Sequence, residues 1–265
     1  MVGGVQRAAR AAEAIGFDDL WVSDHLVVPQ DQSYPTPYMC DPLQTLAFAA
    51  AATERVGLGT SVLVGPQYTS PLALANTLAT LDYLSGGRLT VGIGLGWSRK
   101  EYEALHAPFD HRGERLDEII ELLRTAWTDD PATHIGKHYG FTDIRVLPKP
   151  AHPIPLWIGG RSDAAIGRAV NKGDGYHANE TPVDEISDIV KRLRDQRPDE
   201  SWVISMRMNL AVELDLTSGD LGGLAGRVEA YAAAGIQALQ IAPSRGDLDV
   251  WLAAQENIAR VLNLS

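Results

Sequence analysis

Asp24 and His25 follow the apolar stretch Leu20-Trp21-Val22 and are of the types that move protons. An imidazole gains and loses its proton near neutral pH, which makes His25 a candidate general acid or base. Asp24 beside it could orient the ring or bond a cofactor, and the dipeptide reads equally well as a structural pair closing a strand. Gly92, Gly94 and Gly96 stand on alternate positions, where missing side chains let another backbone or a flat ring approach; plain packing of small residues is the rival explanation. A dinucleotide fingerprint would need glycine where Trp97 stands. Gly159-Gly160-Arg161-Ser162 joins a short apolar run to a helical pattern. Backbone N–H groups, the helix dipole and the Arg161 guanidinium could there face one anion, although a glycine turn with Ser162 as N-cap serves as well.

Other candidates carry less. His134 and His138 are separated by Gly136 in an irregular stretch with no acidic third ligand, so no metal is expected. His106, His111 and His152 lie in polar segments and are read as solvated, and the Glu/Arg run from Arg112 to Arg124 as the wet face of an outer helix.

The residues of interest fall at the ends of strands in a chain that alternates helix and strand, the pattern of a parallel α/β fold. Helices are expected over Val5–Ile15, from Asp41-Pro42 to Glu54, from Ser70-Pro71, over Arg112–Trp127, Ser162–Lys172, Thr181–Gln196, Leu221–Ala234 and Asp249–Leu262. Strands are expected over Asp19–Leu26, Val56–Val64, Arg88–Gly96, Pro155–Gly160, Gly175–Ala178, Trp202–Glu213 and Ala238–Ala242. That makes seven, whereas a closed barrel takes eight, and the chain opens on a helix where a barrel opens on a strand. The expected fold is a (β/α)8 TIM-type barrel lacking its first N-terminal strand in this sequence. It forms one domain over residues 1–265, with an irregular insertion around 129–153 that carries a short hairpin.

Composition narrows the partners. A formal net charge of -11 opposes binding to a phosphate backbone, so nucleic acid is not expected. No apolar run reaches the roughly 18 residues of a membrane helix, and no leader is legible at the start, so a cytoplasmic protein without membrane contact is expected. The single cysteine, Cys40, is read as a structural thiol.

Five segments taken together resemble the luciferase-like monooxygenase superfamily. They are Gly16-Phe17-Asp18-Asp19-Leu20-Trp21-Val22-Ser23-Asp24-His25-Leu26, Gly57-Leu58-Gly59-Thr60-Ser61-Val62-Leu63, Leu84-Ser85-Gly86-Gly87-Arg88, Gly92-Ile93-Gly94-Leu95-Gly96-Trp97 and Gly173-Asp174-Gly175-Tyr176. Within it they look most like the coenzyme F420-dependent oxidoreductases of actinobacteria.

The resemblance implies a hydride carrier bound at the strand ends, with its ring backed by a bulge containing a non-prolyl cis peptide, which maps onto Ser61-Val62. It maps the family's Asp-His pair onto Asp24 and His25, and its phosphate glycines onto Gly159 and Gly160 beside Arg161. A further donor falls near Asn179, and Gly94 and Gly96 fall along the ring. A homodimer is implied as well.

The activity so implied is hydride transfer between reduced F420 and a small organic substrate, His25 exchanging the proton. An FMN-dependent monooxygenase and a non-catalytic barrel are the alternatives. The sugar-phosphate dehydrogenases of the group carry glutamate where Trp97 stands, and lysine where this chain has Glu180-Thr181-Pro182. An apolar or aromatic substrate against Trp97 is therefore expected in place of a phosphorylated sugar.

Overall fold

Short polar side chains set where the helices begin. Asp41 Oδ1 accepts the Gln44 N–H at 2.9 Å, and Ser70, Ser162 and Asp247 cap their helices in the same manner. Gly16 and Gly86 stop two helices with φ of 102° and 75°, a backbone that a side chain would resist.

The computed structural model describes residues 3–32, 39–209, 221, 223–242 and 247–264. In chain order they form α1 (Gly4–Ile15), β1 (Asp19–Val22), α2 (Pro42–Ala50), β2 (Gly57–Val64), a 3-10 turn (Gly65–Gln67), α3 (Pro71–Ser85), β3 (Leu89–Gly94), α4 (Arg99–Ala104) and α5 (Arg112–Thr128). There follow β4 (Ala132–Ile135), β5 (Gly140–Ile144), β6 (Leu156–Gly159), α6 (Asp163–Lys172), β7 (Gly175–Asn179), α7 (Val183–Gln196), β8 (Val203–Met208), α8 (Leu224–Ala233), β9 (Ala238–Ile241) and α9 (Leu248–Leu262).

All seven expected strands are present, in one sheet ordered β1-β2-β3-β6-β7-β8-β9. Several expectations change in detail. The strand expected over Asp19–Leu26 ends at Val22, so Asp24 and His25 lie beyond it. The helix opened by Asp41 ends at Ala50, short of Glu54. The strand expected over Trp202–Glu213 runs Val203–Met208, and residues 210–213 lie outside those described. A short helix, α4, stands where none was expected. Among the described residues no helix is long and apolar enough to cross a membrane, and Cys40, expected as a structural thiol, is exposed.

The chain gathers into two compact units, one of Met1–Trp21, Ala51–Gly57 and Ile158–Ser265, the other of Val22–Ala50 and Leu58–Trp157. In the first, Glu13 at the end of α1 accepts the N–H groups of Glu54, Arg55 and Val56, which fixes the entry to β2. Parallel pairing aligns His177 of β7 with Ser205 of β8, and Asn179 with Arg207. Side chains alternate along a strand, so His177 and Asn179 share one face with Ser205 and Arg207.

In the second unit α3 and α5 pack together, with Trp127 Nε1 donating to Ala75 O at 3.0 Å. The insertion carries the expected antiparallel hairpin, β4 with β5. Its tether corrects the reading of the Glu/Arg run as a wet face. Glu118 of α5 is 8% exposed and takes the N–H groups of His138 at 2.9 Å and Tyr139 at 2.6 Å. Two backbone donors of the hairpin loop are satisfied by one helix carboxylate. His134 stands 3.6 Å from the same carboxylate, which gives it a local partner inside the unit.

His177 stacks on Trp21, with ring centroids 5.3 Å apart and planes 5° from parallel, and its Nδ1 lies 2.8 Å from Ser205 Oγ. That hydroxyl donates to Tyr176 O and therefore accepts from the imidazole, which places a hydrogen on Nδ1. Burial, assisted by the charge of Arg207, lowers its pKa from 6.5 to about 3. The unfolded chain takes up this proton near 6.5 and the folded chain only near 3, so folding stability drains away as pH falls through that window. His177→Gln is expected to make the decline of the urea midpoint between pH 6 and 4 shallower by one proton, about 1.4 kcal/mol per pH unit. Equal slopes in the two proteins would assign the proton elsewhere.

Candidate functional site

Asp24 and His25 leave the end of β1 as neighbours and go to different tasks. His25 Nδ1 lies 2.9 Å from Glu101 Oε1, while Trp97 meets its ring edge-on with centroids 6.5 Å apart. Trp97 is 57% exposed, so one face of a large apolar ring stands open beside the imidazole. Glu101 sits in the first turn of α4 and is 2% exposed. It also accepts from Gln32 Nε2 and Gln67 Nε2, each at 3.3 Å. Burial alone would raise its pKa, but the bond from His25, the charge of His25 and the two amides bring it below the ordinary carboxylate value. Ser98 caps α4 by accepting the Glu101 N–H at 3.4 Å and hands its own proton to Gln32 Oε1. Outside this cluster Lys100 pairs with Asp31, a second tie between the segment after β1 and α4.

Sequence reasoning missed Glu101, and a signal for it was there. Ser98-Arg99-Lys100-Glu101 matches the capping-box pattern that opens a helix. Half of that box is built, because the serine caps while the glutamate turns away to His25.

Asp24 is buried, 2% exposed, and its Oδ2 accepts the Val64 N–H at 2.8 Å. It thus pins the end of β2, the strand that carries Ser61 and Val62. The cis peptide expected at Ser61-Val62 is present, and the pairing of β2 with β3 slips register between Thr60 and Leu63, a bulge at that point. Glycine explains how the strands fit. A Cβ on Gly92 would lie 2.1 Å from Thr60 O, so this glycine serves backbone approach between β2 and β3. Gly96 has φ of 62°, and a Cβ there would meet Val64 at 2.8 Å. Gly94 closes β3 and is buried.

The other unit holds the remaining candidates. Gly159 ends β6, and Gly160, with φ of 124°, turns the chain toward α6. Ser162 Oγ accepts the Ala165 N–H at 3.2 Å, so the capping reading of this tetrapeptide holds. Arg161 reaches toward Glu185 at 3.7 Å, both half-exposed. Asn179 ends β7 and is exposed, beside Arg207 in the register. Arg207 is a cation that sequence reasoning passed over, since a lone arginine within the pattern Met206-Arg207-Met208 has no motif around it. Of the residues singled out beforehand, His25 and Trp97 are brought together in one unit. There Asp24, Ser61 and Val62 build the adjoining strand end. Gly159, Gly160, Arg161 and Asn179 belong to the other unit.

A family model for the luciferase-like monooxygenases matches residues 2–214. The chain belongs to that family. An uncharacterised protein of Mycobacterium tuberculosis (strain ATCC 25618 / H37Rv) is 34% identical over 203 residues, 71% of this chain and 71% of its own length. An F420-dependent glucose-6-phosphate dehydrogenase of Amycolatopsis mediterranei (strain U-32) is 33% identical over 175 residues. That match covers 65% of this chain and 51% of the relative, about half its length. Among solved structures, an F420-dependent secondary alcohol dehydrogenase in complex with an F420-acetone adduct superposes with a TM-score of 0.81 at 17% identity. The superposition covers 97% of this chain and 94% of that one. The expected TIM-type barrel is thereby established as the fold, and the protein is an oxidoreductase of this family.

Burial raises the Asp24 pKa from 3.8 to about 6, against the Val64 N–H and His25, which lower it. A raised carboxyl favours the folded state below 3.8 and loses that contribution as pH climbs through about 6. Asp24→Asn keeps an oxygen for Val64 and has no proton to lose, so its stability is expected to stay flat between pH 4 and 6 in this respect. Asp24→Ala strands the Val64 N–H and should cost about 1–3 kcal/mol at every pH. Urea unfolding at pH 4.5 and 7 reads both, and a parent-like pH slope in Asp24→Asn would contradict the assignment.

Proposed function

We propose that the protein transfers hydride between coenzyme F420 and a small apolar or aromatic organic substrate, with His25 exchanging the accompanying proton. The observation that carries this reading is the His25 imidazole, bonded to the buried Glu101 and edged by the open Trp97. Family membership and the F420-dependent enzymes among its relatives and structural neighbours support the choice of cofactor.

The residues present fit such a group. A tricyclic ring asks for a flat backbone surface, and the bulge at Ser61-Val62 with the side-chain-free Gly96 is one. Taken by themselves, Gly159, Gly160, Arg161 and the start of α6 carry the N–H donors and the cation that a phosphate asks for. When bound, the deazaflavin would supply the carbon that takes or gives the hydride.

The protein's own part is orientation and proton handling. Asp24, through Val64, keeps the strand end of Ser61 and Val62 in place. His25 is the titratable group that has an open aromatic neighbour, so a carbonyl or alcohol oxygen bound there meets a proton partner. Trp97 gives an apolar substrate a face to stack on, and no carboxylate stands at that position to grip a sugar.

Titrating the purified protein with F420 and with FMN, followed by fluorescence, tests the cofactor. Saturable binding of F420 well ahead of FMN is expected; preference for FMN would replace this reading with a flavin-dependent monooxygenase. His25→Ala should leave F420 affinity within about threefold while lowering turnover of apolar alcohols or ketones by about 10²–10⁴. Undiminished turnover would remove His25 from the chemistry.

A further inference from the structure

We propose that Glu101 is the positioning residue of His25, holding the hydrogen on Nδ1 so that proton exchange is confined to Nε2. The proposal deepens the hydride-transfer reading and rests on it for its purpose, though its geometry stands by itself.

A carboxylate only accepts hydrogen bonds. With Glu101 Oε1 2.9 Å from His25 Nδ1, the hydrogen between them belongs to the imidazole. A neutral His25 then presents the Nε2 lone pair as base, and a protonated one presents Nε2–H as acid. Both directions of a hydride reaction use the same nitrogen, and the ring need not flip between them.

The surroundings hold the carboxylate to this task. Its other contacts are side-chain amides that donate, Gln32 Nε2 to Oε1 and Gln67 Nε2 to Oε2. The orientation of Gln32 is set by a closed circuit: Glu101 N–H donates to Ser98 Oγ, Ser98 donates to Gln32 Oε1, and the Gln32 amide returns to Glu101. A reversed Gln32 would set its amide oxygen against the carboxylate, acceptor against acceptor, and lose the bond to Glu101. Three donors on a carboxylate that is 2% exposed favour its charged form, and an ionised Glu101 has no proton of its own to place on Nδ1. The neighbouring acid, Asp24, spends an oxygen on Val64 N–H, and the carboxylate oxygen 2.9 Å from His25 Nδ1 is that of Glu101.

The test is the tautomer of His25 in protein labelled with ¹⁵N-histidine, read from long-range ¹H–¹⁵N correlations at alkaline pH, where the ring is neutral. The His25→Ala spectrum assigns the signal. We expect a protonated Nδ1 and a pyridine-like Nε2 in the parent protein. A protonated Nε2 there would overturn the proposal without any variant being made. Glu101→Gln, whose amide can donate to Nδ1, should move the hydrogen to Nε2; an unchanged Nδ1–H tautomer in that variant also overturns it. No cofactor is present in either measurement, so failure of the F420 titration and failure of this proposal are separate outcomes. With F420 binding intact, Glu101→Gln should lower kcat for ketone reduction at least about tenfold with little change in KM, whereas equal kcat would deny the residue its positioning role.

Discussion

A carboxylate taken out of water must be met by donors, and Glu101 is met by three from two separate segments. His25 and Gln32 come from the connection after β1, Gln67 from the 3-10 turn after β2, and Glu101 itself from the first turn of α4 after β3. Each segment follows a different parallel strand, and none has a hydrogen-bond ladder to place it. The buried acid supplies what the ladder cannot, a common point on which three connections must converge. Local failure at any one donor would leave charge unpaired in the interior, so the arrangement is held or lost as a set.

The barrel puts such convergence where chemistry is done. Strands end together, and the residues that follow them are free of the sheet's alternation, which is why functional groups collect there. The Asp24 carboxylate works on the sheet side of the same boundary, pinning Val64. The adjacent His25 turns to Glu101 instead. One dipeptide thus divides, with Asp24 holding the strand end as the structural reading had it and His25 joined to a different element.

What was legible beforehand follows from range. Helix caps such as Asp41, Ser70 and Ser162 act within three residues, so they could be read one by one. The seven strands were legible because buried parallel strands are short apolar runs bounded by glycine and by caps. Residues 61 and 62 were legible only through resemblance, since nothing in Thr-Ser-Val by itself distinguishes a bulge from a plain strand. Glu101 and Glu118 were missed for one shared reason: each is a charged residue on a helix whose partner lies far along the chain, 76 residues for His25 and about 20 for the hairpin. Sequence pattern assigns such residues to water by default, and only the fold reveals the donors that bring them inside.

Asp24 and Glu101 sharpen that point, because both are 2% exposed and both neighbour His25, yet their acidities part. At Asp24 burial outweighs the Val64 N–H, the charge of His25 and the Tyr68 hydroxyl, and its pKa rises to about 6. At Glu101 the bond and charge of His25 and the two amides outweigh burial, and its pKa falls below the ordinary value. The balance of burial against donors decides which acid tolerates a proton and which stays charged. The His25 imidazole therefore meets a charged acceptor at Nδ1, and the amides of Gln32 and Gln67 are what keep that acceptor charged and in place.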